Sequence, residues 1–208
     1  MQPITLLITD DHAQVRKVLT LLLNSDSRFQ VIGECKDGEE AIEKEQALHP
    51  TIILMDINLP GISGYETCAA ILQNNPAAKI LGMSMNAEPH YAIRMIQDGA
   101  MGYVTKNSPQ EEIFEALVEI YNNRKYVSRD IKNKLQASLH AATIELKEKK
   151  QLTSQEIEII IYIRLGLTPV EISEKPGFTK EMMDSQLLQV LYKLDLPDVA
   201  SLRTFPAY

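Results

Sequence analysis

The chain has 208 residues, 45% hydrophobic and 24% charged, with a formal net charge of −7. That balance excludes a disordered chain and allows one large domain or two small ones. No run approaches the ~18 apolar residues of a membrane span, and the start MQPITLLITDD lacks a basic front and a small-residue cleavage site. A cytoplasmic protein without a membrane partner is expected. Cys35 and Cys68 have neither metal-ligand nor redox spacing, and His12, His49, His90 and His140 are scattered, so neither a zinc site nor a nucleophile–His pair is expected.

Five short, nearly continuous apolar runs lie near residues 4–9, 29–35, 51–55, 79–84 and 102–105. Such runs are the mark of parallel strands buried on both faces. Helical stretches alternate with them near residues 13–23, 38–48, 64–74, 89–98 and 109–123. Several helix starts carry their own signal: Asp37 precedes Glu40, Ser63 precedes Glu66, and Ser108-Pro109-Gln110-Glu111 combines a capping box with Pro at the first helical position. Right-handed crossovers predict an α/β domain over residues 1–123, with a five-stranded parallel sheet covered by helices on both faces. The flavodoxin-like order 2-1-3-4-5 makes the first and third strands neighbours.

In such a sheet, chemistry sits beyond the carboxyl ends of the strands. Asp10 and Asp11 end the first strand, Asp56 the third, Ser84 the fourth and Lys106 the fifth. Singly, Asp10 and Asp11 would also suit the cap of the first helix, and Asp56 a turn with Pro60 and Gly61. Jointly, the carboxylates call for a hard divalent cation with oxygen ligands, for which Mg²⁺ is the natural choice. The hydroxyl and amine on the other side are what a phosphoryl group requires. One carboxylate can then act as nucleophile and form an acyl phosphate.

The segments ITDDH, LMDINLPGISGYE, GMSM and GAMGYVTKNSP resemble the receiver domain of two-component response regulators. The resemblance implies a (βα)5 fold with Asp56 as phosphoacceptor. It also implies that Asp11 and Asp56 ligate Mg²⁺ directly, Asp10 largely through water, and Asn58 through its backbone carbonyl. Ser84 would bond the incoming phosphoryl, Lys106 would pair with it, and Tyr103 would be the aromatic switch that rotates inward. The donor would be a sensor histidine kinase or a small acyl phosphate, and the consequence a homodimer formed on phosphorylation. Only weak self-phosphorylation and dephosphorylation are implied, so the protein is not an enzyme in the ordinary sense. Phosphatases of the haloacid dehalogenase class also use Asp, Mg²⁺, Ser/Thr and Lys on a parallel sheet. Their second acidic residue lies two places after the nucleophile, whereas Asp11 is followed by His12 and Ala13, and no segment forms a substrate cap.

Charge marks the remaining boundaries. Residues 1–123 carry 8 basic against 17 acidic side chains, residues 124–150 carry 8 against 3, and residues 151–208 carry 5 against 8. The basic connector contains Ile131, Leu135 and Leu139 at helical spacing, which predicts a linker helix near 129–141. Lys147, Lys149 and Lys150 suit either a solvated hinge or a phosphate-contacting arm. Beyond it, Thr153-Ser154-Gln155-Glu156 opens a helix to about Leu165 with Gly166 as its cap. Thr168-Pro169-Val170-Glu171 opens a second helix ended by Pro176-Gly177, and Thr179 caps a third that extends to about Leu194. The string resembles a LuxR-type helix-turn-helix, with LTSQE, GLTPVEIS and YKLDL carrying the likeness.

That resemblance implies transcription control through DNA contacts by Lys180, Ser185, Gln186 and Lys193. The third helix nevertheless presents Asp184, Gln186, Leu187 and Leu188 where basic residues are usual, and an acidic side chain there repels phosphate. The alternative output is a protein-interaction or dimerisation module, in which Met182, Leu187, Leu188 and Leu191 supply apolar area.

Overall fold

A computed structural model describes residues 2–137 and 152–204, and the chain divides into two compact units, Met1–Ser128 and Arg129–Tyr208. In the first, the strands are β1 (Ile4–Thr9), β2 (Phe29–Cys35), β3 (Ile52–Asp56), β4 (Ile80–Ser84), β5 (Gly102–Thr105) and β6 (Tyr126–Val127). The helices between them are α1 (Ala13–Asn24), α2 (Gly38–Leu48), α3 (Gly64–Asn74), α4 (Pro89–Gln97) and α5 (Gln110–Tyr121). The sheet order is β2-β1-β3-β4-β5-β6 with parallel pairing throughout.

The expected order 2-1-3-4-5 is therefore present, but the sheet has six strands rather than five. The sixth adds to the free edge of β5, through Tyr126 N donating to Met101 O at 3.1 Å and Ser128 N donating to Tyr103 O at 2.9 Å. The Tyr126 hydroxyl also donates to Glu112 and Glu115 of α5, at 3.3 and 3.1 Å. Two residues are too short a run to signal a strand by periodicity, and these contacts carry the first unit past residue 123.

The strands are buried on both faces: Leu6, Leu7, Ile8, Ile52, Ile53, Leu54, Met55, Ile80 and Leu81 are all enclosed. On one face Leu6, Ile8, Leu54, Leu81 and Val104 pack with Leu19 and Leu23 of α1 and Ile113, Leu117 and Ile120 of α5. Cys35 and Cys68 are buried free thiols, and burial pushes them up to about 11 and about 12.

The expected caps form at Asp37, which accepts from Glu40 N, and at Ser63, whose capping box with Glu66 is complete. Ser108 differs. Pro109 has an extended ψ of 149° and is itself the N-cap, so α5 begins at Gln110 and the Ser108 hydroxyl lies 3.1 Å from that of Thr105. Nor do Asp10 and Asp11 cap α1, because the N-cap is His12.

In the second unit a helix runs over residues 129–137 (α6), with Ile131 and Leu135 buried. Leu139, Lys147, Lys149 and Lys150 lie outside the described residues. The output helices are α7 (Ser154–Arg164), α8 (Pro169–Ser173), α9 (Lys180–Leu194) and α10 (Val199–Thr204). Thr153–Glu156 and Thr168–Glu171 form complete capping boxes, and Thr179 caps α9 by accepting from Met182 N. The α7 cap is Leu165, one residue before the left-handed Gly166. The α10 helix, unanticipated in a Pro-interrupted tail, buries Leu202. Along α7, Ile157, Ile159, Ile160, Ile161 and Ile163 are all buried, as expected of a helix apolar on every side.

Candidate functional site

Strand register assembles the site. β1 and β3 run side by side with Thr9 opposite Met55, so the next residues, Asp10 and Asp56, emerge together at the carboxyl end of the sheet. β4 pairs with β5 so that Ser84 faces Thr105, and Lys106 N donates to Ser84 O at 2.8 Å. Asp10, Asp56 and Ser84 are 1%, 3% and 0% exposed. The α3 start must come close, since a Cβ on Gly64 would overlap the carbonyl oxygen of Asp56.

Lys106 sits between the two buried carboxylates, with Nζ 2.5 Å from Asp10 Oδ2 and 2.6 Å from Asp56 Oδ2. Burial opposes its charge, but the hydrogen bonds to Asp10 and Asp56 outweigh that and hold its ammonium above the ordinary lysine range. The other oxygen of Asp56 is occupied as well: Asn58 N donates to Oδ1 at 3.0 Å. Asn58 Nδ2 also donates to Ser84 Oγ at 3.3 Å, and Asn86 N donates to the same hydroxyl at 3.1 Å. Tyr103 is fully buried, with its hydroxyl donating to Asn86 O at 2.9 Å. The ring expected to rotate inward on activation is thus already inside, tied to the residue that also holds Ser84.

Asp11 lies apart from the Lys106 bridge. Its Oδ1 is 2.6 Å from His12 Nδ1, and ligand atoms of Asp10, Asp11 and His12 lie within 4.8 Å of one another. His12 N donates to Asp10 Oδ1 at 2.9 Å, and Arg16 Nη1 donates to the Asp10 carbonyl at 2.6 Å. His12, Arg16 and Asn86 join the site without a motif of their own. Adjacency to Asp11 and to Ser84 was the available signal for His12 and Asn86. Arg16 had none, because only the first turn of α1 brings it back to Asp10. The carboxylates and carbonyls here are hard oxygen donors of the kind Mg²⁺ takes, and the buried Asp10–Asp56 pair already needs a cation between its members.

In the output unit the four residues expected to touch DNA separate into two pairs. Lys180 and Ser185 are exposed. Lys193 instead turns inward: Nζ donates to Glu156 Oε1 and Oε2 at 2.7 and 2.8 Å. Burial pushes the Glu156 carboxyl up, while the bonds from Lys193 and Thr153 prevail and hold it below the usual range. Gln186 Nε2 donates to Gln155 Oε1 of α7 at 2.9 Å. Of the proposed apolar set, Leu188 alone is exposed, and Met182, Leu187 and Leu191 are half-buried.

A doubly wound parallel sheet with an Asp–Lys–Asp bridge beyond its strand ends and a Ser beside it is the arrangement of a receiver. Residues 6–118 match the response regulator receiver domain, and the chain belongs to that family. It is a response regulator of the NarL-like, LuxR type. It is 34% identical over 128 residues to the response regulator GacA of Pseudomonas viridiflava, covering 62% of this chain and 60% of that protein. It is likewise 34% identical over 123 residues to the oxygen regulatory protein NreC of Staphylococcus aureus strain JH9, covering 59% and 57%. The chain thus matches about 60% of the length of these curated relatives. A crystal structure of a LuxR-family two-component response regulator from Aurantimonas sp. SI85-9A1 aligns with a TM-score of 0.60 at 33% identity, over 62% of this chain and 92% of that one. The RcsB response regulator of Salmonella typhimurium aligns over 99% of this chain and 98% of its own, with a TM-score of 0.61 at 20% identity, a likeness of fold. Among the described residues, no helix is long and apolar enough to cross a membrane.

Proposed function

We propose that the chain is a cytoplasmic phosphorylation switch whose phosphoacceptor is Asp56 and whose output is transcription control through the α7–α10 unit. The observation that carries the first part is the Lys106 ammonium bridging Asp10 and Asp56 at 2.5 and 2.6 Å. A carboxylate held there has its charge compensated and its orientation fixed, by Lys106 on Oδ2 and by Asn58 N on Oδ1. Asp56 attacks the phosphorus of a kinase phosphohistidine or a small acyl phosphate, the P–N or P–O bond breaks, and an aspartyl phosphate forms. Lys106 follows the charge from the carboxylate to the phosphoryl oxygens, and Ser84 exchanges its bond from Asn58 for one to the phosphoryl group. Asp10, Asp11, Asp56 and the Asn58 carbonyl are the oxygen donors that would hold Mg²⁺, which would supply positive charge for the transfer.

Because Asn86 binds both Ser84 and Tyr103, a displacement of Ser84 reaches the Tyr103 ring and the start of α4. That link supports altered self-association on phosphorylation. The test is incubation with acetyl phosphate and Mg²⁺: a phosphoprotein should form, and Asp56→Asn should abolish it. Phosphorylation that survives in Asp56→Asn refutes the assignment.

For the output, the family favours DNA contact by Lys180 and Ser185 with Gln186 and Lys193. A second reading, protein contact, is favoured by the Lys193–Glu156 and Gln186–Gln155 bonds, which commit two of those four side chains internally. Promoter fragments titrated at low and high salt discriminate the two, since phosphate contacts give a steep salt dependence.

A further inference from the structure

We infer that the outward face of α9 docks a protein helix of opposite charge, one with an apolar stripe flanked by Lys and Arg. This rests on the protein-contact reading of the output unit. Leu188 and Tyr192 are 70% and 88% exposed, the two most exposed large apolar side chains among the described residues. They are four residues apart and therefore share one face of the helix. Asp184 extends that row one turn toward the amino end, Glu181 lies beside it, and Asp195 follows at the carboxyl end, all exposed.

The face cannot be turned inward. Met183, Val190 and Leu194 are buried on the opposite side of α9, and the bonds from Gln186 to Gln155 and from Lys193 to Glu156 fix the rotation of the helix. What remains outside is an apolar centre with carboxylates at both ends and one cation, Lys180, at the start. Duplex DNA meets this surface with its own negative charge, which Glu181, Asp184 and Asp195 repel, and Leu188 offers its phosphates no donor. A second copy brings the same carboxylates, and like charges brought together across an interface disfavour the pairing. A basic amphipathic helix satisfies both features: its apolar stripe covers Leu188 and Tyr192, and its cations meet Glu181, Asp184 and Asp195. Tyr, large and rigid with a polar tip, is among the residues that anchor such contacts.

The probe is a fluorescein-labelled synthetic helix of Leu and Lys with Leu at i, i+3, i+4 and i+7, beside a scrambled peptide of the same composition. Each is titrated with the full chain by fluorescence anisotropy at low and high salt. The patterned peptide should bind at least about 10-fold tighter than the scramble, and Leu188→Ala and Tyr192→Ala should each weaken it about 10-fold, the range of an interface anchor. Asp184→Lys should weaken it and flatten its salt dependence. Both apolar side chains are exposed, so these variants should keep the wild-type melting curve, which far-UV circular dichroism checks. Equal binding of both peptides, or affinities unchanged in all three variants, overturns the docking surface. Duplex promoter DNA is titrated in parallel: salt-dependent binding that Asp184→Lys strengthens refutes the protein-contact reading itself, an outcome distinct from loss of the peptide signal without DNA binding.

Discussion

Replacing Lys106 with Met keeps the length of the side chain and removes the charge that separates two buried carboxylates. Lys106 Nζ is 2.5 Å from Asp10 Oδ2 and 2.6 Å from Asp56 Oδ2. The two oxygens are therefore at most about 5 Å apart, where like charges repel by about 3 kcal/mol at an effective dielectric constant near 20. That matches the ~3–5 kcal/mol seen when one member of a buried ion pair is removed. The receiver unit of Lys106→Met should accordingly lose about 3 kcal/mol at neutral pH without metal. Mg²⁺ restores the missing positive charge, so it should stabilise the variant more than the wild type, by linkage of binding to folding. Differential scanning calorimetry of the full chain with and without Mg²⁺ measures both effects. In the wild type, a lysine held above its ordinary value contributes stability that is complete below its unfolded pKa of about 10.4 and is lost only as pH rises through the higher folded value. A variant that melts within about 0.5 kcal/mol of wild type without metal, or an equal Mg²⁺ shift in both proteins, would refute the picture of Lys106 as the cation these carboxylates need.

Three further substitutions probe other links in the structure. Gly64→Ala forces a Cβ onto the Asp56 carbonyl; a cost of about 1–3 kcal/mol in urea unfolding is expected, together with slower phosphorylation by acetyl phosphate, because the backbone of Asp56, the proposed phosphoacceptor, must shift. Tyr103→Phe removes the bond to Asn86 O at a cost of about 1 kcal/mol. It should also weaken the change in self-association that a beryllofluoride mimic produces, as read by sedimentation velocity. Lys193→Met strands the buried Glu156 carboxylate and should destabilise the output unit by about 3 kcal/mol at pH 7. Because Glu156 is held below its usual range, the stability it contributes is present above its unfolded pKa near 4.3 and is lost as pH falls through the lower folded value. The gap between wild type and Lys193→Met should therefore close in acid, which thermal melts across the acid range will show.

The alternation of strands and helices, the sheet order of the first five strands and the polar residues at the strand ends were legible in the sequence. Each depends on a local pattern: an apolar run long enough to be buried on two faces, a cap three residues before its partner, a polar residue at the next position. The Ser108 cap failed for a local reason too, since Pro109 in this chain keeps an extended ψ and starts the helix one residue later. His12 and Asn86 carry no motif of their own and enter the site through their neighbours Asp11 and Ser84.

Tertiary structure decided the rest, because the remaining partners lie far apart in the chain. The strand Tyr126–Val127 exists only because β5 offers it a free edge. Lys106 reads in isolation as a surface amine; it becomes the bridge between Asp10 and Asp56 because β5 ends within reach of β1 and β3. In the output unit the LuxR-type resemblance groups Lys193 and Gln186 with Lys180 and Ser185 as DNA contacts. The packing of α9 against α7 turned the first two inward, to Glu156 and Gln155, and left Leu188 and Tyr192 in solvent. A helical pattern fixes which residues share a face, but the direction that face points is set by the helices packed against it.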